Sequence, residues 1–252
     1  MIDSHAHYDD RRFNADRHEL LTSFAEQGIE LVINIGADMQ SSRKSISLAE
    51  KYPFVYAVVG VHPHEAKGMH DADLETLRLL SQHDKVVAIG EIGLDFYYDN
   101  SPRDIQRVRF KQQLALCAEV GLPVVIHSRD ASAETWDSLR ESGLKGVIHC
   151  YSGSAEQAIQ YVKTGFYIGI GGVLTYNNAR KLVETVEAIP LKSILLETDC
   201  PYLAPEPHRG KRNHSLYLTE IARKVAQIKR VSFEEVEAAN RENVLTLFNK
   251  IT

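Results

Sequence analysis

The amino-acid sequence predicts an α/β protein in which eight parallel strands alternate with helices and close into a barrel. Three observations carry that prediction. Apolar runs rich in Val and Ile recur roughly every 20 to 35 residues, eight times along the 252-residue chain. Amphipathic segments with helical spacing lie between them. Polar residues that bind metals or move protons collect at the C-terminal ends of the runs.

The runs center on Met1-Ile2, Leu31 to Ile35, Val55 to Val59, Val86 to Ile89, Pro123 to Ile126, Gly146 to Ile148, Phe166 to Ile170 and Ile194 to Leu196. Near-continuous apolar runs suit strands covered on both faces, as in parallel sheets. Between them, Asp104 to Val120 places Ile105, Val108, Leu114, Leu116 and Val120 at spacings near three and four, the period of a helix with one buried face. Asp16 to Gly28, Ser41 to Lys51 and Ala72 to Ser81 read the same way. Ser232, with Glu235 three residues on, suits a capping box that opens a last helix. Gly28, Gly121, Gly143 and Gly165 stand where helices would stop and turn into strands. Nothing resembles a linker, so the prediction is one domain over residues 1–252, a (β/α)8 TIM barrel of ordinary length. A doubly wound open sheet would usually carry a Gly-rich phosphate loop after its first strand, and His-Ala-His stands there instead.

Composition narrows the function classes. A hydrophobic content of 44% is enough for a full core without disulfides, and no apolar run is long enough to span a membrane. The net charge of -5 argues against a broad basic face for a polyanion, though one local cluster runs through His208, Arg209, Lys211, Arg212 and His214. Cys117, Cys150 and Cys200 form no metal or disulfide pattern and read as reduced thiols. The first strand starts almost at residue 1 and ends in the His pair, so a cytoplasmic location is expected.

Taken strand by strand, the ends hold His5 and His7; His62 and His64 around Pro63; Glu91 and Asp95; His127 and Arg129; His149 with Cys150; and Glu197 with Asp199. Strand residues two apart share a face, so His5 and His7 point at one spot. In a barrel all these ends meet at one mouth, where active sites are built. Four imidazoles (His5, His7, His127, His149) and two carboxylates (Glu91, Asp199) exceed what one zinc-type catalytic ion uses, which is about three protein ligands. The set suits two divalent metal ions with Glu91 between them, and Asp199 as ligand, proton acceptor or both. Such mixed ligands favour zinc, manganese, iron or cobalt over magnesium.

The strings Asp3-Ser4-His5-Ala6-His7, Gly60-Val61-His62-Pro63-His64, Gly90-Glu91-Ile92-Gly93-Leu94-Asp95, His149-Cys150-Tyr151-Ser152-Gly153, Glu197-Thr198-Asp199-Cys200-Pro201-Tyr202-Leu203-Ala204-Pro205 and Arg209-Gly210-Lys211-Arg212-Asn213 occur in that order. Together they closely resemble the TatD family of metal-dependent deoxyribonucleases, within the amidohydrolase-like barrel hydrolases. The resemblance implies hydrolysis of DNA phosphodiesters, typically as a 3′–5′ exonuclease on single strands or 3′ ends, often with added magnesium or manganese. It implies a first metal on His5, His7, Glu91 and Asp199, and a second on Glu91, His127 and His149. It also implies a phosphate contact for His62. Many amidohydrolases use a carbamylated lysine where Glu91 stands. One departure is His214-Ser215, where the family usually has an acidic or amide residue and then proline; it bears on the rigidity and substrate preference of that loop.

Other residues have two readings each. His62 could donate to a phosphate oxygen or stabilise its turn, and the turn role suits His64 better. Arg129 could hold phosphate in a forked grip or pair with Asp130 or Asp95. Arg209 and Lys211 could contact phosphate or form a solvated loop. Tyr97 and Tyr98 could stack on a base or pack their own loop. Glu197 could orient a ligand histidine from inside the barrel. By strand alternation Cys150 should face the helix layer, and Trp136 reads as core. For function, the expected metal-dependent nuclease has two rivals. One is a hydrolase of a small phosphate ester, a lactone or an aminoacyl-tRNA ester on the same scaffold. The other is a non-catalytic metal or nucleic-acid binding protein.

Overall fold

The computed structural model describes residues 1–251. Eight strands form one parallel sheet in chain order: β1 (Ile2–Ala6), β2 (Leu31–Ile35), β3 (Val55–Val59), β4 (Val86–Asp95), β5 (Val124–Arg129), β6 (Gly146–Ile148), β7 (Tyr167–Ile170) and β8 (Ile194–Leu196). Around it lie α1 (Arg17–Thr22), α2 (Met39–Lys51), α3 (Asp71–Ser81), α4 (Arg103–Val120), α5 (Ser132–Leu139), α6 (Ala155–Lys163), α7 (Arg180–Ala188), α8 (Leu218–Lys229) and α9 (Phe233–Leu247). The expected (β/α)8 barrel is what forms. No helix among the described residues is long and apolar enough to cross a membrane.

Strand alternation sorts the core into two layers. Leu31, Ile33, Ile35, Val58, Val125, Val147 and Leu195 gather in a buried cluster joined by Val244 and Leu247 from the end of α9 and by Phe248 just after it. The intervening positions, among them Val32, Val59, Val124, Ile126, Ile148 and Leu196, belong to the larger cluster under the helices. Continuing the inward parity past Val125 and Val147 puts His127 and His149 over the barrel's centre.

Most boundaries fall close to the periodicity. Ser232 caps α9 through the expected box with Glu235, and Gly28, Gly121, Gly143 and Gly165 all take positive φ. Two elements differ. The helix expected over residues 16–28 stops at Thr22 and is followed by a 3-10 turn, Ala25–Gln27. Thr22 Oγ1 and Ser23 Oγ donate to the carbonyls of His18 and Leu20, 2.8 and 2.7 Å away, satisfying acceptors at the helix end. The fourth strand runs on through its polar string to Asp95, with a register shift between Ile89 and Ile92. Gly93, at φ +150°, permits this, because a Cβ there would lie 1.9 Å from the His127 carbonyl oxygen.

The barrel closes between β1 and β8 on few backbone contacts. Ala6 bridges Cys200, His7 N–H donates to the Cys200 carbonyl at 2.8 Å, and Asp199 N–H donates to the His5 carbonyl at 2.9 Å. Side chains complete the seam. The buried Asp3 carboxylate accepts from Thr198 N (3.0 Å), Thr198 Oγ1 (2.6 Å) and Ser215 Oγ (2.6 Å), and Ser4 Oγ donates to the Leu196 carbonyl at 2.9 Å. Asn240 of α9 accepts from Leu196 N–H and donates to the Ile2 carbonyl, spanning both strands.

Candidate metal centre

The six ligand candidates converge at the C-terminal mouth. His5 Nε2 lies 3.4 Å from Glu91 Oε2 and 3.2 Å from His7 Nε2, which is 3.3 Å from Asp199 Oδ1. His127 Nδ1 lies 2.9 Å from Glu91 Oε1, and His149 Nε2 lies 3.9 Å from the same oxygen and 3.8 Å from Asp199 Oδ1. Glu91 thus turns one oxygen to His5 and the other to His127, His62 and His149, the arrangement a carboxylate between two ions needs.

The donor set fits divalent metal. Donors bound about 2.0–2.2 Å from one ion sit roughly 3–3.6 Å apart, and several separations above fall in or near that range. Donor atoms of His5, His7 and Asp199 lie within 4.8 Å of one another, as do those of His62, Glu91 and His127. His5 Nδ1 is buried with no hydrogen-bond partner, and the His5 and His149 rings stack with centroids 3.4 Å apart.

Outer partners choose which nitrogen faces inward, as is usual for metal-binding histidines. His7 Nδ1 donates to the Ile35 carbonyl at 3.1 Å, leaving Nε2 toward the centre. His127 Nε2 donates to Asp95 Oδ2 at 3.0 Å, leaving Nδ1 inward. His149 Nδ1 lies 3.0 Å from Glu197 Oε1, off the hydrogen-bond direction but at ion-pair distance. Glu197 therefore sits beside His149, one of the ligand candidates, and Gly169 makes room for it, since a Cβ there would meet Glu197 Oε2 at 2.4 Å. His62 Nδ1 accepts from His64 N–H at 3.1 Å, which puts the ring proton on Nε2, 3.7 Å from Glu91 Oε1.

The charges follow from burial and neighbours. Burial works against ionisation of Glu91, but His149, His62, His127 and His5 hold it well below the usual carboxylate range. Asp199 is lowered against the same penalty by His149, His7 and His5. Burial opposes charge on His7 and His149 too, yet Asp199 with Glu91, and Glu197 with Glu91 and Asp199, raise them to about 9 and about 10. His62 moves the other way: burial and the nearby His127 keep it neutral.

A cavity of about 530 Å³ opens over this cluster. His62, His64 and Arg129 line it; Arg209 and Lys211 do not. Arg129 makes neither expected ion pair and instead stacks on Tyr97 and Tyr98. Arg209 stacks on Tyr176 with its centre 4.4 Å from the ring, and Arg212 forks onto Asp16 at 2.7 and 2.5 Å. The His214-Ser215 departure leaves a pinned loop. Ser215 joins the Asp3 network, and His214 and His208 each place a ring 3.9 Å from Tyr217.

Two residues correct or extend the sequence reading. Cys150 does not follow strand alternation, because β6 ends at Ile148 and Cys150 takes φ +44°. Its thiol lies within 4.8 Å of donor atoms of His149 and Asp199. The sequence offers Asp95 as a strand-end residue and a partner for Arg129; instead it is fully buried and binds His127, His64 and the backbone N–H groups of Tyr97 and Tyr98. Its place four residues after Glu91, on the same strand face, was the available signal.

Comparison with known proteins agrees with this geometry. The family model described as TatD related DNase matches residues 2–249. The Bacillus subtilis protein named uncharacterized metal-dependent hydrolase YabD is 41% identical over 251 residues, covering 98% of each chain. The Escherichia coli YcfH protein, named in the same way, is 33% identical over 255 residues, covering 99% of this chain and 96% of its own. The crystal structure of the Escherichia coli TatD homologue YjjV superposes with a TM-score of 0.93 at 33% identity, covering 99% and 98%. With fold, donor set and relatives in agreement, the chain belongs to the TatD family of metal-dependent hydrolases.

Proposed function

We propose that this hydrolase cleaves DNA phosphodiester bonds, working from the 3′ ends of single strands, with two divalent ions. His5, His7, Glu91 and Asp199 would hold one ion, and Glu91, His127 and His149 the other; zinc, manganese, iron, cobalt and magnesium are the ions to test. The carrying observation is that a neutral His62, with its proton on Nε2, faces the same Glu91 around which the ligand candidates gather. It is a hydrogen-bond donor set beside a cation site, which suits an anionic group gaining charge in the transition state.

Bound divalent ions would supply Lewis acidity toward a phosphoryl oxygen and toward water. The chain's own residues do the rest. Asp199, ionised and at the cavity wall, takes the proton of the attacking water as its oxygen bonds to phosphorus. The bridging P–O bond breaks, and the leaving alkoxide oxygen takes up the proton that Asp199 holds. His62 Nε2–H donates to a non-bridging oxygen, and the Arg129 guanidinium meets a neighbouring phosphate. Arg209 and Lys211 lie beyond the cavity wall, so in this reading they meet the strand outside it. Arg129 in the cavity favours a phosphate substrate over a lactone or an uncharged ester.

The test is a labelled single strand and its duplex, digested beside small chromogenic esters, with chelator and metal add-back. Chelation should stop cleavage and add-back restore it. Glu91→Ala should lower turnover by at least about 10³-fold and reduce bound metal, since it removes the carboxylate shared by both ligand sets. Wild-type nuclease activity in clean Glu91→Ala protein, or ester turnover with no DNA cleavage, would sink the proposal.

A further inference from the structure

The mouth of the cavity carries most of the large apolar side chains that the described residues leave exposed. Of six such side chains, four are Tyr97, Tyr98, Tyr202 and Leu203, on the segments after β4 and β8. Tyr98, Tyr202 and Leu203 line the cavity itself. A single exposed tyrosine needs no explanation, but apolar surface gathered around a polar site points to a ligand with an apolar face.

Arg129 organises one side. Its guanidinium carbon lies 4.1 Å from the Tyr97 ring centroid and 4.7 Å from that of Tyr98, and the two rings meet edge to face at 4.9 Å. No carboxylate pairs with Arg129 among the described residues, and it is the one Arg or Lys lining a cavity that also presents Asp9, Asp10 and Glu65. A guanidinium held by ring faces keeps its N–H donors for an anion. On the other side Tyr202 lies under Arg12 at 4.1 Å, but Arg12 is already forked onto Asp10 at 2.9 and 2.8 Å. That wall offers a ring and no spare charge.

The corner is fixed to the metal centre. Tyr97 and Tyr98 N–H donate to Asp95 Oδ1 at 3.0 and 2.9 Å, while Asp95 Oδ2 accepts from His127 and His64. The tyrosine turn is therefore tied to the same carboxylate that holds the His127 ring.

We propose that the Tyr97–Tyr98–Arg129 corner is a nucleotide subsite, taking one unstacked base on the tyrosines and its phosphate on Arg129, with Tyr202 as the facing wall. This deepens the phosphodiesterase reading and rests on it. It specifies a strand whose bases are free at the cleaved end, since a base stacked in a duplex has no open face. The acidic rim limits grip to about one phosphate, so the salt slope of binding should be near −0.7, the value for one contact on a single strand.

The test compares an intact oligonucleotide with one abasic at or next to the cleaved end, alongside fluorescence quenching of a strand carrying 2-aminopurine there. The wild type should cleave the intact strand with a kcat/KM roughly 5- to 150-fold higher, the range for one stacked base. In Tyr97→Ala/Tyr98→Ala that ratio should fall to near one and the quenching should disappear, with metal content kept. Tyr97→Phe/Tyr98→Phe should restore both, because the ring does the stacking. Arg129→Gln should weaken both strands alike and flatten the salt slope. Equal cleavage of the two strands by the wild type, or an unchanged ratio in the alanine pair, overturns the subsite. Quenching without cleavage of any strand would leave the subsite standing and defeat the nuclease reading instead.

Discussion

The two halves of the ligand cluster rest on different supports. Glu91 and His127 stand on β4 and β5, whose parallel ladder continues from Ile92 opposite Ile126 to Asp95 opposite Arg129, right up to the site. His5, His7 and Asp199 stand at the β1–β8 seam, where one bridge and two backbone hydrogen bonds are supplemented by Asp3, Ser4, Thr198, Ser215 and Asn240. Backbone pairing carries position on one side, where Asp95 orients the His127 ring, and a buried polar network carries it on the other. A fully satisfied network holds a unique geometry, but losing one member leaves its partners stranded out of water. The seam should therefore break by unfolding, and the β4–β5 side by loss of tuning.

The largest expected contrast is in stability. Asp3→Ala strands two Thr198 donors and the Ser215 hydroxyl in a buried site, at a cost of about 3 kcal/mol or roughly 6–12 °C in Tm. Thermal unfolding checks it, and a loss under about 1 °C would erase the contrast between the two halves. Asp95→Ala comes next and acts elsewhere. It frees the His127 ring, so metal affinity should fall about 10- to 100-fold, measured by competition with a chelating dye. Its Tm loss should be smaller than that of Asp3→Ala; the reverse order would mean that both halves are held in the same way.

A pH-dependent effect sharpens the seam's outer layer. Burial, with Arg212 and His208 adding to it, lowers His214 to about 4 from an ordinary value of 6.5. The unfolded chain then binds more protons than the folded one between those values. The stability linked to this residue is present above pH 6.5 and is lost as the pH falls toward 4. His214→Asn should flatten the Tm profile across that window, and a parallel shift with unchanged slope would remove His214 as its source.

How far the site was readable depends on the kind of contact. His127 and His149 follow from parity with Val125 and Val147, a local property of extended chain. Glu197 could be placed inward by the same rule, but not set against His149, which lies 48 positions earlier. Alternation failed at Cys150, where the strand had already ended and the backbone turned left-handed. The loop cations were legible as charges only. Whether Arg129 would meet an acid or a ring depended on how the Tyr97–Tyr98 turn folds back onto Asp95.

By itself, then, the sequence determined the eight repeats, the strand ends and the chemical types gathered there, because hydrophobic period and turn residues act within a few positions. The tertiary structure alone decided which oxygen of Glu91 faces which histidine, which imidazole nitrogen points inward, and that Asp3 would tie Thr198, 195 residues away, into the closing seam. Those outcomes depend on rotamers and on distances across the closed ring, and such distances exist only once the barrel has shut.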